Sequence, residues 1–179
     1  KNFMALAYFI TFSTYGTWLH GTAKGHGSVD DRHAAYGTPL LKVDPAREAE
    51  ARAAMVQAAY TMGAVERTIV RDAIISLASE KEWRLLAVHV RANHIHVVIA
   101  AERDPGRVMS DIKGRASRDL TRAGLGDAAQ KRWTRHGSTR HLFTAADVEA
   151  RVNYTLHGQG TPMAWFDGQS DISKEPRTE

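Results

Sequence analysis

Residues 83–91, WRLLAVHVR, and residues 94–102, HIHVVIAAE, are two apolar, β-branched runs separated by little more than Ala92-Asn93. So short a gap predicts a β-hairpin with its strands side by side. The rest of the chain must then cover that hairpin. Alternate residues of a strand face opposite sides. His94, His96 and Val98 therefore share one face of the second strand, and Ile95, Val97 and Ile99 share the other. At roughly 3.3 Å rise per residue, the two imidazoles start about 7 Å apart at Cα. They are either hydrogen-bonded spacers or two ligands aimed at one ion.

The flanking segments set the fold class. Residues 6–16, LAYFITFSTYG, are aromatic and β-branched and end in glycine, as a strand and its turn do. Residues 17–44 are rich in glycine, histidine and aspartate, without a clear period, and form a long irregular segment. Asp44-Pro45 opens a helix predicted to run to about Met62. A second helix is predicted from Ala64 to about Ser79, with Val65, Ile69, Ala73 and Leu77 along its apolar side. After the hairpin, residues 105–124 read as a helix with Val108, Ile112 and Leu120 on or near one side and basic residues around much of the rest. Residues 124–140 form a basic loop, and residues 141–144, HLFT, form a short strand. Thr144 caps a last helix over about 145–157, with Asp147 three residues on as a partial capping box and Gly158 as the stop. This order predicts an α+β fold with a ferredoxin-like βαββαβ core, an antiparallel sheet covered by helices on one face. The extra C-terminal helix, which carries Tyr154, lies against or beside the sheet. Residues 1–160 are expected to form a single domain, followed by a polar tail over residues 161–179.

Composition narrows the chemistry. No cysteine is present, which excludes disulfides, thiol nucleophiles and cysteine-ligated zinc. No run of 18 apolar residues occurs and no signal-peptide pattern opens the given residues, so the expectation is a cytoplasmic protein that does not contact membranes. The net charge is +4, and it is unevenly spread. Residues 107–140 hold nine Lys/Arg against three acidic residues, whereas residues 44–106 hold eight basic and nine acidic ones. A clustered positive field attracts polyanions. Within it Lys113, Arg115 and Arg118 share a helix. Arg132, Trp133, Arg135 and His136 combine charge with an aromatic ring, which suits phosphate contact and base stacking. Trp18 and His20 are further candidates of the same type.

In residues 148–160, VEARVNYTLHGQG, Val148, Val152 and Leu156 form a narrow apolar stripe at helical spacing. Tyr154 lies roughly 160° from its centre, so it is either an ordinary half-buried tyrosine or one that reaches into a groove. His157 and Gln159 follow closely, and either offers a third ligand beside His94 and His96.

Taken together, HIHVVI, VNYTLHGQG and the opening YFITFSTYGTWLHG resemble the IS200-like, Y1-type transposases. The nearer likeness is to the REP-associated tyrosine transposases, a branch of the HUH single-strand endonucleases. RWTRHGSTRHLF also resembles a segment of this branch, and the likeness covers roughly residues 6–160. It implies a metal-dependent single-strand DNA endonuclease and strand transferase acting on hairpin-bearing or palindromic DNA, as a monomer or homodimer. His94 and His96 would hold Mg²⁺ or Mn²⁺, and Tyr154 would form a 5′-phosphotyrosine intermediate with a free 3′-OH. The phosphodiester energy is conserved, so no ATP is required. In related transposases a glutamine one turn after the tyrosine can complete the metal site. Here that position is Gly158, flanked by His157 and Gln159. His157 lies about 60° from Tyr154 around the helix and is slightly preferred, because Gln159 lies past the helix stop. Histidine ligands suit Mn²⁺ better than Mg²⁺. Two other readings remain: a non-catalytic or degenerate ferredoxin-like nucleic-acid-binding protein, although an aromatic-rich RNA-binding strand is lacking, and a metallohydrolase, which would need a nearby carboxylate that the strand does not offer.

Overall fold

The computed structural model describes residues 5–17 and 44–168. Nine elements follow one another: β1 (Ala7–Ser13), α1 (Pro45–Ala53), α2 (Ala64–Glu80), β2 (Arg84–Val90), β3 (His94–Ala100), α3 (Pro105–Arg122), β4 (Ser138–Leu142), α4 (Ala145–His157) and β5 (Ala164–Asp167). The five strands form one antiparallel sheet in the order β4-β1-β3-β2-β5. Its first four strands are the ferredoxin-like arrangement expected from the βαββαβ order. The irregular segment and its Trp18 and His20 lie outside the described residues.

The two sheet faces bury different layers. Ile10, Phe12, Val88, Val90, Ile95, Val97 and Ile99 pack against the apolar sides of α2 and α3, including Val70, Ile74, Val108, Ile112 and Leu120. On the opposite face Ala7, Leu86, Ala87, Val98 and Leu142 pack against Val152 and Leu156 of α4. The α2 and α3 layer therefore covers one face, and the tyrosine-bearing helix crosses the other. A bulge between Leu85 and Ala87 shifts the β2 register against β3. It puts Leu86 and Ala87 together in the α4 layer and returns Val88 and Val90 to the larger core.

Caps fix the helix starts. Asp44 Oδ1 accepts from the Ala46 and Arg47 amides, with Pro45 in the first turn. Asp104 accepts from the Arg107 amide before α3. Thr144 accepts from the Asp147 amide, while its hydroxyl donates to the Asp147 carboxylate.

Three boundaries differ from expectation. The helix opened by Pro45 stops at Ala53 rather than near Met62. It buries no residue, and beyond it the chain leaves helical geometry so that Tyr60 and Met62 can enter the core. The Tyr60 and Met62 amides donate to the carbonyls of Tyr15 and Ala92. The fourth strand lies at Ser138–Leu142 rather than over residues 141–144, because Phe143 is exposed and Thr144 serves as the cap of α4. The segment after residue 160 is not all tail: β5 adds a fifth strand beside β2, from Ala164↔Val90 to Asp167↔Ala87. The Gly168 amide then donates to the Leu86 carbonyl.

This layering predicts where truncation hurts. Ile99→Ala, at a side chain with 0% exposure in the larger core, should cost about 2–5 kcal/mol. Val65→Ala, at a side chain 67% exposed, should change stability by less than about 0.5 kcal/mol. Urea denaturation of the two variants checks this, and comparable losses would contradict the assignment of the core.

Candidate functional site

β3 lies between β1 and β2, so its α4-side residues sit in the middle of the sheet. There the strand carries imidazoles in place of aliphatic side chains. His94 and His96 face each other at a ring-centroid distance of 5.0 Å, with their planes 78° apart. One nitrogen of each ring is engaged. His94 Nδ1 lies 2.7 Å from Asn93 Oδ1, which can only accept, so Nδ1 carries the proton and Nε2 a lone pair. His96 Nδ1 lies 2.9 Å from Thr11 Oγ1, across the β1–β3 ladder. Outer partners of this kind fix the orientation of metal-binding histidines.

The last turn of α4 lies over the pair. Tyr154, 40% exposed, places its ring 5.7 Å from the His96 ring and 6.1 Å from Phe9, edge-on to both. Phe9 stacks on His96 at 5.5 Å. Gly158 closes the helix through its amide to the Tyr154 carbonyl. A Cβ at Gly158 would come within 2.8 Å of Tyr154 Cδ2, so a residue without a side chain lets the chain turn beneath the ring. That turn delivers Gln159. Its Nε2 donates to the Tyr154 carbonyl at 3.5 Å, and its Oε1 then faces His94 Nε2 at 3.4 Å. His157 is exposed. The structure therefore brings Gln159, rather than His157, to the histidines.

Burial lowers the pKa of both histidines, and that of His96 falls to about 3 with help from the neighbouring His94. Both rings are therefore neutral at physiological pH, the form in which imidazole binds a metal. A neutral His94 has one ring proton for two acceptors, Asn93 Oδ1 at 2.7 Å and Gln159 Oε1 at 3.4 Å, and with that proton on the shorter contact Nε2 keeps a lone pair beside Gln159 Oε1. That donor set suits a cation. Among the described residues no group of three or more His, Asp or Glu side chains offers a metal site. Any ion held here would rest on the two imidazoles and the Gln159 amide oxygen.

A third histidine, not singled out in the sequence, anchors the turn. His89 is fully buried on β2, opposite His96 in the ladder. Its Nδ1 meets the Thr155 carbonyl at 3.0 Å, and its Nε2 accepts from the Met163 amide at 3.0 Å. The segment carrying Gln159 is thus tied at both ends to one imidazole, and burial lowers the pKa of that ring too. Phe9, Thr11, Asn93 and Arg151 also belong to the site. Asn93 stands beside the histidines in the sequence. Thr11 and Phe9 become recognisable only once β1 is known to pair with β3.

The basic segment is used differently than its composition suggests. Lys113 donates to the Thr134 and His136 carbonyls and lies over the Phe12 ring, and burial lowers its pKa to about 8. Arg115 pairs with Glu80 and Asp119. Arg132, 2% exposed, donates to the Leu125 carbonyl. Trp133 donates to the Lys113 carbonyl and Ser117, and its ring packs edge-on to Phe12 and Tyr60. Of these four expected DNA contacts, Lys113 and Trp133 thus join α3 to the loop over residues 125–137, Arg115 ties α3 to α2, and Arg132 braces the loop itself. Arg118, Arg135 and His136 are exposed.

A family model described as "Transposase IS200 like" matches residues 58–149, a span that contains both histidines and ends before Tyr154. No curated protein matches the chain. One solved structure, described as "Structure of the REP associates tyrosine transposase bound to a REP hairpin", is 12% identical. Its similarity covers 88% of this chain and 69% of that chain, with a TM-score of 0.48. Because the matched span takes in just over half of its residues, the chain belongs to the IS200-like transposase family.

Proposed function

We propose that the chain cuts and rejoins single-stranded, hairpin-bearing DNA by metal-assisted transesterification, with Tyr154 as the nucleophile. The observation that carries this reading is the convergence of Tyr154, His96, His94 and Gln159 beneath the last turn of α4. Membership of a transposase family supports it. His94 and His96 through Nε2, and Gln159 through Oε1, would hold a divalent ion. A bound Mg²⁺ or Mn²⁺ supplies Lewis-acid polarisation of the scissile phosphate and offsets the charge that develops there.

The protein's own groups do the rest. The Tyr154 side chain is exposed enough to meet a phosphodiester and to release its phenolic proton to water. Its oxygen bonds to phosphorus as the bond to the 3′-oxygen breaks. The 3′-oxygen takes up a proton and leaves as a hydroxyl, and the 5′-phosphate stays on the tyrosine. Attack by a 3′-hydroxyl reverses the step and joins strands. The edge-on packing of Tyr154 against Phe9 and His96 limits ring motion, which keeps the oxygen near the metal-binding groups.

Single-stranded hairpin oligonucleotides incubated with Mn²⁺ should give a covalent adduct on a denaturing gel. The adduct should be absent with Tyr154→Phe, with the double variant His94→Ala/His96→Ala, and with a chelator. An adduct of equal yield from Tyr154→Phe would refute the nucleophile assignment. DNA binding without any adduct from the wild type is the result expected of a non-catalytic module. For the third ligand, Gln159→Ala should slow adduct formation about 10- to 100-fold at limiting Mn²⁺. It should do so more severely than His157→Ala, and the reverse order would place His157 at the metal.

A further inference from the structure

Arg151 precedes Tyr154 by one helical turn on α4, outside the basic segment that dominates the charge pattern. Its guanidinium lies 5.2 Å from the Phe9 ring centroid and 5.9 Å from the Tyr154 ring centroid. Those are the two rings that pack edge-on at the site. Among the described residues no carboxylate forms an ion pair with Arg151, whereas Arg115 and Arg122 are paired with acids. Among the described residues this cation is thus held by the Phe9 and Tyr154 rings, beside the histidine pair. Arg140 of β4 is the register partner of Phe9, so it stands on the same face at the neighbouring strand. It is exposed.

A guanidinium lying over a ring still has its N–H edge available. That edge matches two oxygens of a phosphate and binds them as a fork. The stacking also restricts the side chain before any ligand arrives, so less freedom is lost on binding. We propose that Arg151 is a phosphate-binding residue that grips the DNA backbone at Tyr154 and orients the scissile phosphate for attack. This inference rests on the transesterification reading for the identity of the phosphate. The contact itself can be tested without turnover.

The test uses the full chain in the Tyr154→Phe background, where no adduct forms. Binding of a fluorescent single-stranded hairpin oligonucleotide is measured by anisotropy across a salt series. Each phosphate contact on a single strand contributes a slope of about 0.7 in log Kd against log salt. Adding Arg151→Gln should lower the slope by about that amount, and Arg151→Lys should keep it. An unchanged slope with Arg151→Gln would show that the residue only braces the rings, and would overturn the inference. Adduct formation by Arg151→Lys with Tyr154 intact gives a second reading. Loss of the fork should slow it about tenfold, and a wild-type rate would likewise count against the proposal. Arg151→Lys also serves if Arg151→Gln fails to fold. If wild-type protein forms no adduct while the slope still falls with Arg151→Gln, the transesterification reading fails and the phosphate contact stands.

Discussion

The alternation of β3 at the centre of the sheet is the constraint on which the rest depends. Flanked by β1 and β2, the strand has both faces inside the protein. One face gives Ile95, Val97 and Ile99 to the core beneath α2 and α3. The other gives two imidazoles and Val98 to the layer under α4. Polar rings buried there must be hydrogen-bonded. Thr11 comes from the neighbouring strand and Asn93 from the hairpin turn to satisfy them. A one-residue register slip would bury the histidines in the aliphatic core and expose the aliphatic residues in their place. The fold and the site are therefore fixed by the same register.

α4 completes the arrangement because its two sides have separate tasks. Val152 and Leu156 hold it to the sheet, and Arg151 and Tyr154 project over Phe9 and His96. The turn that follows is held by His89, a residue with no direct part in the proposed chemistry. Gly158 permits the close turn under the Tyr154 ring, and Gln159 then reaches His94. One turn after the tyrosine this chain has Gly158, and the turn that follows brings the amide oxygen of Gln159 within 3.4 Å of His94 Nε2.

Much of this was legible in the sequence where the signal was periodic and local. The hairpin, the caps of α1 and α4, the faces of β3 and the off-stripe position of Tyr154 follow from spacing alone. The failures have one physical origin, tertiary competition. Residues 54–62 carry helix-forming alanines, yet burial of Tyr60 and Met62 takes them out of the helix. β5 is only four residues long, and its ladder with β2 supplies what its own sequence lacks. Lys113, Arg132 and Trp133 stand out by composition as nucleic-acid contacts, and their intramolecular partners, carbonyls that approach only in the folded chain, were not legible. Arg151, a single arginine outside any cluster, gave no compositional signal. Its placement over two rings is visible only in three dimensions.

The central claim is that the two imidazoles of β3, joined by the turn after α4, bind one divalent ion. Pulsed electron paramagnetic resonance of the protein titrated with Mn²⁺ tests this directly, because coupling to ¹⁴N reports imidazoles bound to the metal. The account predicts one tightly bound Mn²⁺ coupled to two imidazole nitrogens, falling to one in His96→Ala. Mn²⁺ bound without nitrogen coupling, or coupling unaffected by that substitution, would contradict it.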